Sequence, residues 1–233
     1  MKDAGGNPTG CQTDTAMAPV LTLIPKLSKA RKQDALVKGQ AHLLSLGITS
    51  LVNAGTSVDD IENIKELYRQ GKLKMRIYAL ISSAWGEELG DNEEMYFSRG
   101  PEVGLFDNYA WRTIIDSGAI IVNGSDAPIE PANSFHGLYA AVTRMDRDGQ
   151  PVGGWYPNQR MTRTEALKRF TICAAYGQFE EKSNGSLETG KLADFIVIDR
   201  DYMECPAAEI KDIKPLMTVI GGDILYQSPS LAN

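Results

Sequence analysis

Hydrolysis and proton transfer need ionisable side chains where a substrate can reach them, and imidazoles are scarce in this chain: the two histidines are His42 and His136. Histidine is the commonest ligand of catalytic zinc and the commonest general base, so a mechanism built on several imidazoles has little to draw on. The sharpest candidate is an acid. Asp126 stands in Asn123-Gly-Ser-Asp-Ala-Pro128, directly after the apolar run Ala119-Ile-Ile-Val122. An ionisable group just beyond a hydrophobic strand, with Gly124 allowing close backbone approach and Pro128 fixing the exit, suits a metal ligand or general base. It equally suits a carboxylate that caps the following turn or helix.

His136 lies on the helix entered from that loop and is placed to approach the same strand end as Asp126, although Tyr139 and Ala140, three and four residues on, also describe a packing face. Trp155, with Tyr156 in Gly153-Gly-Trp-Tyr-Pro157, is placed either to cover a substrate or to anchor its own loop. His42 sits on the flank of its helix near Ala35 and Leu46, the position of a packed or half-exposed imidazole.

The elements that must position these groups alternate. Residues 1–27 carry Gly5, Gly6, Pro8, Gly10, Pro19 and Pro25 and read as an irregular opening segment packed on something larger. Ser28 is a helix N-cap with Gly47 just past the helix end; Ala35, Leu36, Leu43 and Leu46 share one face. A buried strand is expected at Ile48–Val52, a helix from cap Ser57 to Tyr68 stopped by Gly71, and a strand at Met75–Ile81. Strands joined through a helix imply parallel pairing, hence α/β architecture. After the acidic stretch 82–108, the pattern predicts a helix at Tyr109–Ser117, a buried strand at Ala119–Val122, and helices at Ser134–Arg144 and Arg163–Tyr176. Thr162 and Glu165 form a capping box for the last of these. Ala193–Asp199, Met217–Ile220 and Ile224–Tyr226 read as strands of a small β unit.

Composition narrows the functional classes. Of 233 residues, 24 are Lys or Arg and 30 Asp or Glu, a net charge of −6 that excludes nucleic-acid binding as the main role. Hydrophobic residues at 42% fit a packed domain. No apolar run approaches the roughly 18 residues of a membrane span, and Met-Lys-Asp-Ala-Gly-Gly lacks a signal-peptide core, so no membrane partner and a cytoplasmic location are expected. Cys11, Cys173 and Cys205 cannot pair completely and read as buried thiols. The absence of a Gly-rich phosphate motif and of Cys-x-x-Cys argues against a nucleotide or redox protein.

Asn123-Gly-Ser-Asp-Ala-Pro128, Ala140-Ala-Val-Thr-Arg144, Gly153-Gly-Trp-Tyr-Pro157, Gly185-Ser-Leu-Glu-Thr-Gly-Lys-Leu-Ala-Asp194 and Gly221-Gly222 together closely resemble the amidohydrolase 3 family of metal-dependent hydrolases, which includes N-substituted formamide deformylases. Asn7-Pro-Thr-Gly10, Gly47-Ile-Thr-Ser50 and Asn53-Ala-Gly55 extend the resemblance over nearly the whole chain. It implies a (β/α)8 TIM-type barrel with a small β-sandwich, hydrolysing a small-molecule substrate at amide-like C–N bonds with metal-activated water. A divalent metal such as zinc is the implied cofactor. Asp126 would be the last-strand aspartate that approaches the metal and shuttles the proton; Lys191 and Asp194 would be turn and packing residues.

On that resemblance the chain is a truncated, internally shortened member. It starts downstream of the family's His-x-His, and Asn108-Tyr109 reads as a join between stretches far apart in a complete member. The expected architecture is therefore an incomplete barrel at 28–185 with sandwich strands at 186–233. Asp126 would then lack its metal companions, and the chain alone would not retain the ion. Metal binding lowers the pKa of water from about 15.7 to about 7, roughly 12 kcal/mol toward hydroxide, which a lone carboxylate cannot replace. Two readings follow: an amidohydrolase, or a catalytically silent relative with a binding or association role. Uncovered sheet edges and interior also predict self-association.

Overall fold

A computed structural model describes residues 5–10, 17–81 and 109–231. Cys11 and the acidic stretch 82–108 lie outside the described residues. Within the opening segment a four-residue helix, α1 (Ala18–Leu21), forms. Leu23 and Ile24 behind it are exposed.

Helix α2 (Lys29–Ser45) starts where its cap predicts: the Ser28 hydroxyl accepts the Arg31 N–H at 3.3 Å. It ends because Gly47 takes φ +78°, and a Cβ there would meet Pro215 at 3.1 Å and Ile196 at 3.2 Å. Strand β1 (Ser50–Thr56), helix α3 (Val58–Arg69) and β2 (Arg76–Ile81) form a β-α-β unit whose strands pair in parallel, Ser50 opposite Arg76. The register slips between Ala54 and Thr56, where Gly55 has φ +76°. Ser57 caps α3 through the Asp60 N–H, and α3 buries Asn63, Ile64 and Leu67. β1 lies half exposed, not buried, because β2 is its one strand neighbour in the described sheet.

Beyond residue 109, α4 (Trp111–Asp116) and α5 (Ser134–Thr143) precede a paired helix, α6 (Arg163–Phe170) and α7 (Ile172–Gly177). The capping box at Thr162 and Glu165 is present in both directions. The single helix expected over 163–176 is broken at Thr171 (φ −124°, ψ −100°), whose hydroxyl donates to the Leu167 carbonyl at 2.8 Å. Such a bond competes with the helical ladder and bends it. Three strands follow, β3 (Phe195–Ile198), β4 (Pro215–Ile220) and β5 (Asp223–Gln227), antiparallel in that order.

Two cores hold these pieces. Phe135, Leu138, Tyr139 and Ala141 of α5 pack with Met161, Ala166, Tyr202, Ile210 and Ile213. Leu44, Met75 and Ile220 join the β-α-β unit to the C-terminal sheet. That junction also has polar pins. The Thr218 hydroxyl donates to the Leu44 carbonyl at 2.7 Å, and Arg76 donates to both carboxylate oxygens of Asp194 at 2.6 and 3.0 Å. The Asp194 side chain is 6% exposed and also accepts the Gly221 N–H, a packing role.

The strand expected at Ala119–Val122 does not form. Ile120 is 52% and Val122 45% exposed, and residues 119–125 belong to neither described sheet. Ile121 packs against the α5 core, and the Asn123 N–H donates to the Arg169 carbonyl at 3.3 Å. An apolar run states only a wish to be buried; a strand needs a neighbouring ladder, which no described segment provides here.

Candidate functional site

Asp126 stands where this tether turns. Its φ is +52°, a left-handed conformation that aspartate tolerates better than most residues. Its carbonyl accepts the Ile129 N–H at 2.8 Å, closing a turn that contains a cis Ala127–Pro128 bond. The residue is exposed. Its carboxylate does not cap α5, because Asn133 does: Asn133 Oδ1 accepts the Phe135 N–H at 3.0 Å. Among the described residues the Asp126 carboxylate has no hydrogen bond or ion pair.

His136, on the first turn of α5, is half buried. Its Nε2 lies 3.3 Å from the Asn133 amide, and its Nδ1 is buried without a partner among the described residues. Burial pushes its pKa down; Arg147 and Lys211 act in the same direction, while Asp212 and Glu130 oppose them. The charged form of the ring is therefore disfavoured, among charges that partly satisfy one another, as in the Arg147–Glu130 pair at 3.0 Å. His42 is exposed near the end of α2.

Trp155 belongs to a third environment. Its N–H donates to the Arg144 carbonyl at 2.8 Å and its own carbonyl accepts Arg144 Nε at 2.9 Å. The loop before it is pinned as tightly: Gly154 (φ +83°) sits so close to Thr143 that a Cβ would lie 2.3 Å from the Thr143 carbonyl oxygen. Arg160 donates to that carbonyl at 3.1 Å and to the Gly153 carbonyl at 2.5 Å. The Trp155 backbone is thus tied to Arg144 in both directions. No hydrogen bond joins Asp126, His136 and Trp155 among the described residues.

Nor do donors converge. Among the described residues no three His, Cys, Asp or Glu side chains are placed to hold a metal ion. Cys173 is buried and takes a contact from Arg169 at 3.0 Å; Cys205 is half buried beside Arg163. The strongest electrostatic feature is elsewhere. Arg112 of α4 grips Glu165 at 2.9 and 2.5 Å, and with the Thr162 cap it holds the Glu165 carboxyl down at a pKa of about 2. Sequence reasoning missed this pair and the buried Arg144. The readable signal for Arg144 was modest: a cationic residue just past a helix, where it complements the dipole.

Residues 93–226 match the model of the Amidohydrolase family, more than half of the chain. The chain belongs to the amidohydrolase family. The amidohydrolase YtcJ of Bacillus subtilis (strain 168) is 34% identical over 119 residues, 51% of this chain and 22% of YtcJ. The N-substituted formamide deformylase of Arthrobacter pascens is 30% identical over 116 residues, 50% of this chain and 21% of that enzyme. This amidohydrolase chain therefore spans about a fifth of the length of those two relatives. Among solved structures, an uncharacterized metal-dependent hydrolase from Pyrococcus furiosus superposes with a TM-score of 0.62 at 18% identity, covering 82% of this chain and 65% of that one. A second, from Pyrococcus horikoshii OT3, gives 0.59 at 16%, covering 83% and 70%. These likenesses establish an α/β fold of the kind found in metal-dependent hydrolases. No helix among the described residues is long and apolar enough to cross a membrane.

Proposed function

We propose that this chain carries the aspartate-bearing part of an amidohydrolase acting on amide-like C–N bonds of small molecules, with Asp126 as the group that takes up and returns the proton. Family membership over a segment that includes Asp126 supports the reaction class. The observation that carries the assignment to Asp126 is its exposed, unpartnered carboxylate at a left-handed turn, because a carboxylate already spent on a cap or ion pair is a poor proton acceptor. His136 and Trp155 are the candidate substrate contacts. In this reading residues 28–185 correspond to part of a (β/α)8 barrel, 186–233 to sandwich strands and 1–27 to an opening segment, in a cytoplasmic protein.

The family implies a divalent metal such as zinc. The described residues do not fit it: catalytic zinc takes three protein ligands and an open position, and Asp126 has no donor companions among them. We therefore write no step through a metal. That same observation favours the second reading, a family member that binds or associates without turnover when this chain is alone.

An N-alkylformamide is the probe, since one relative bears the name N-substituted formamide deformylase. Purified chain is assayed for amine release from N-butylformamide, with its metal content measured, beside Asp126→Asn. Release that falls at least about a hundredfold in the variant supports the hydrolase. No release from a folded chain holding well under one equivalent of metal decides for the silent relative.

A further inference from the structure

Arg144 is a buried charge without a counter-ion. It is 6% exposed, and no carboxylate among the described residues pairs with it. It ends α5 in the left-handed conformation, φ +62°. Its guanidinium donates through Nε to the Trp155 carbonyl at 2.9 Å and through Nη1 to the Tyr109 carbonyl at 3.1 Å. The Trp111 and Trp155 rings lie 4.5 and 4.8 Å from its carbon. Nη2 is buried and has no acceptor among the described residues. Burial lowers the pKa of the group and no neighbouring acid restores it, which agrees with the missing anion.

The same residue borders a concavity of about 210 Å³, lined by Tyr109, Trp111, Ala140, Arg144, Met145 and Trp155. At roughly 30 Å³ per water this is space for several waters, yet apart from the guanidinium its walls are rings, a methyl and a thioether. A ligand that fits has an apolar body and one anionic end. Inorganic phosphate has no apolar body to set against the rings, whereas an organic carboxylate offers both an anionic end for Nη2 and an apolar body. We propose that this concavity binds a small organic monocarboxylate, its carboxylate on Arg144 Nη2 and its apolar body against Met145 and the indole rings. Nη2 is shielded from solvent, so docking requires a side chain of the wall to move, and the two indoles flanking the guanidinium report the event. The site shares Trp155 with the hydrolase reading but uses neither Asp126 nor a metal, and binding here is read without turnover, so the two fail separately.

The test is titration of the intact chain with sodium benzoate at constant ionic strength, read by intrinsic tryptophan fluorescence, beside benzamide and inorganic phosphate. Benzoate is expected to give a saturable change, benzamide to bind about tenfold or more weakly because it lacks the charge, and phosphate to give none. Ala140→Leu fills the concavity while leaving Arg144 in place, and is expected to abolish the benzoate response with a cooperative melt retained. Equal responses to benzoate and benzamide overturn the proposal. So does phosphate competing with benzoate, or an Ala140→Leu response equal to that of the unaltered chain. The comparison of benzoate with benzamide decides the matter even where the leucine variant fails to fold.

Discussion

The Asp126 turn and the Arg144 corner sit at opposite ends of one stretch of chain, before and after α5, and each holds a charged residue in the left-handed region. At Arg144 nearly every polar group has a partner: two carbonyls on the guanidinium, two rings on its faces, and the Gly153-Gly154 loop bonded to Thr143 and Arg160. At Asp126 the carboxylate has no partner among the described residues, and a backbone bond closes the turn. The difference separates a charge bonded into the fold, with one nitrogen of its guanidinium left over, from a charge that the fold does not engage among the described residues. Substitutions at the first corner should cost stability and those at the second should not.

Gly154→Ala is the largest expected effect. The new Cβ meets the Thr143 carbonyl at 2.3 Å, backbone that cannot rotate away, and the residue keeps φ +83°. About 2–3 kcal/mol of stability should be lost, read as a lower urea midpoint. A midpoint equal to that of the parent would mean the loop is not pinned and Trp155 is free to act as a cover.

A smaller effect comes from Glu165. Its folded pKa, about 2, lies below the ordinary 4.5, so the unfolded chain takes the proton first. The stabilisation is present above pH ~4.5 and drains away as pH falls toward 2. The pair is about a quarter exposed, 27% for Arg112 and 26% for Glu165, so solvent screening leaves on the order of 1 kcal/mol. Glu165→Gln should be less stable at neutral pH and show a flatter acid limb in thermal melts between pH 5 and pH 2. Parallel limbs for the two proteins would remove this clamp from the bonded corner.

How much of this was legible in the sequence follows from the range of each interaction. Ser28, Ser57 and the Thr162/Glu165 box were readable because a cap and its target lie three residues apart. Gly47 and Gly71 mark helix ends by φ +78° and +67°, and the three C-terminal strands announced themselves by short apolar runs, rich in β-branched residues in β3 and β4. The Arg144 corner was opaque, since its carbonyl partners stand 35 and 11 residues away and no local pattern names them. Ala119–Val122 misled for the converse reason: its apolar character is local, but whether it becomes a strand depends on neighbours. Asp126 was singled out by its position after that run; the run forms no strand, and the helix cap belongs to Asn133.

The smallest effect bears on Asp126 itself. A charge that pairs, caps or packs leaves an energetic trace when neutralised at constant shape, typically ~1 kcal/mol for a cap and more for a buried pair. Asp126 is exposed and has no side-chain partner among the described residues, so Asp126→Asn should stay within about 0.5 kcal/mol of the parent in urea unfolding at neutral pH. Asparagine tolerates the left-handed conformation as well as aspartate does, which removes backbone strain as a confounding cause. A loss above about 1 kcal/mol would show that the carboxylate is engaged in holding the fold, and the contrast with Arg144 would collapse. A neutral result, set beside the loss expected for Gly154→Ala, leaves Asp126 as a charge the fold does not need.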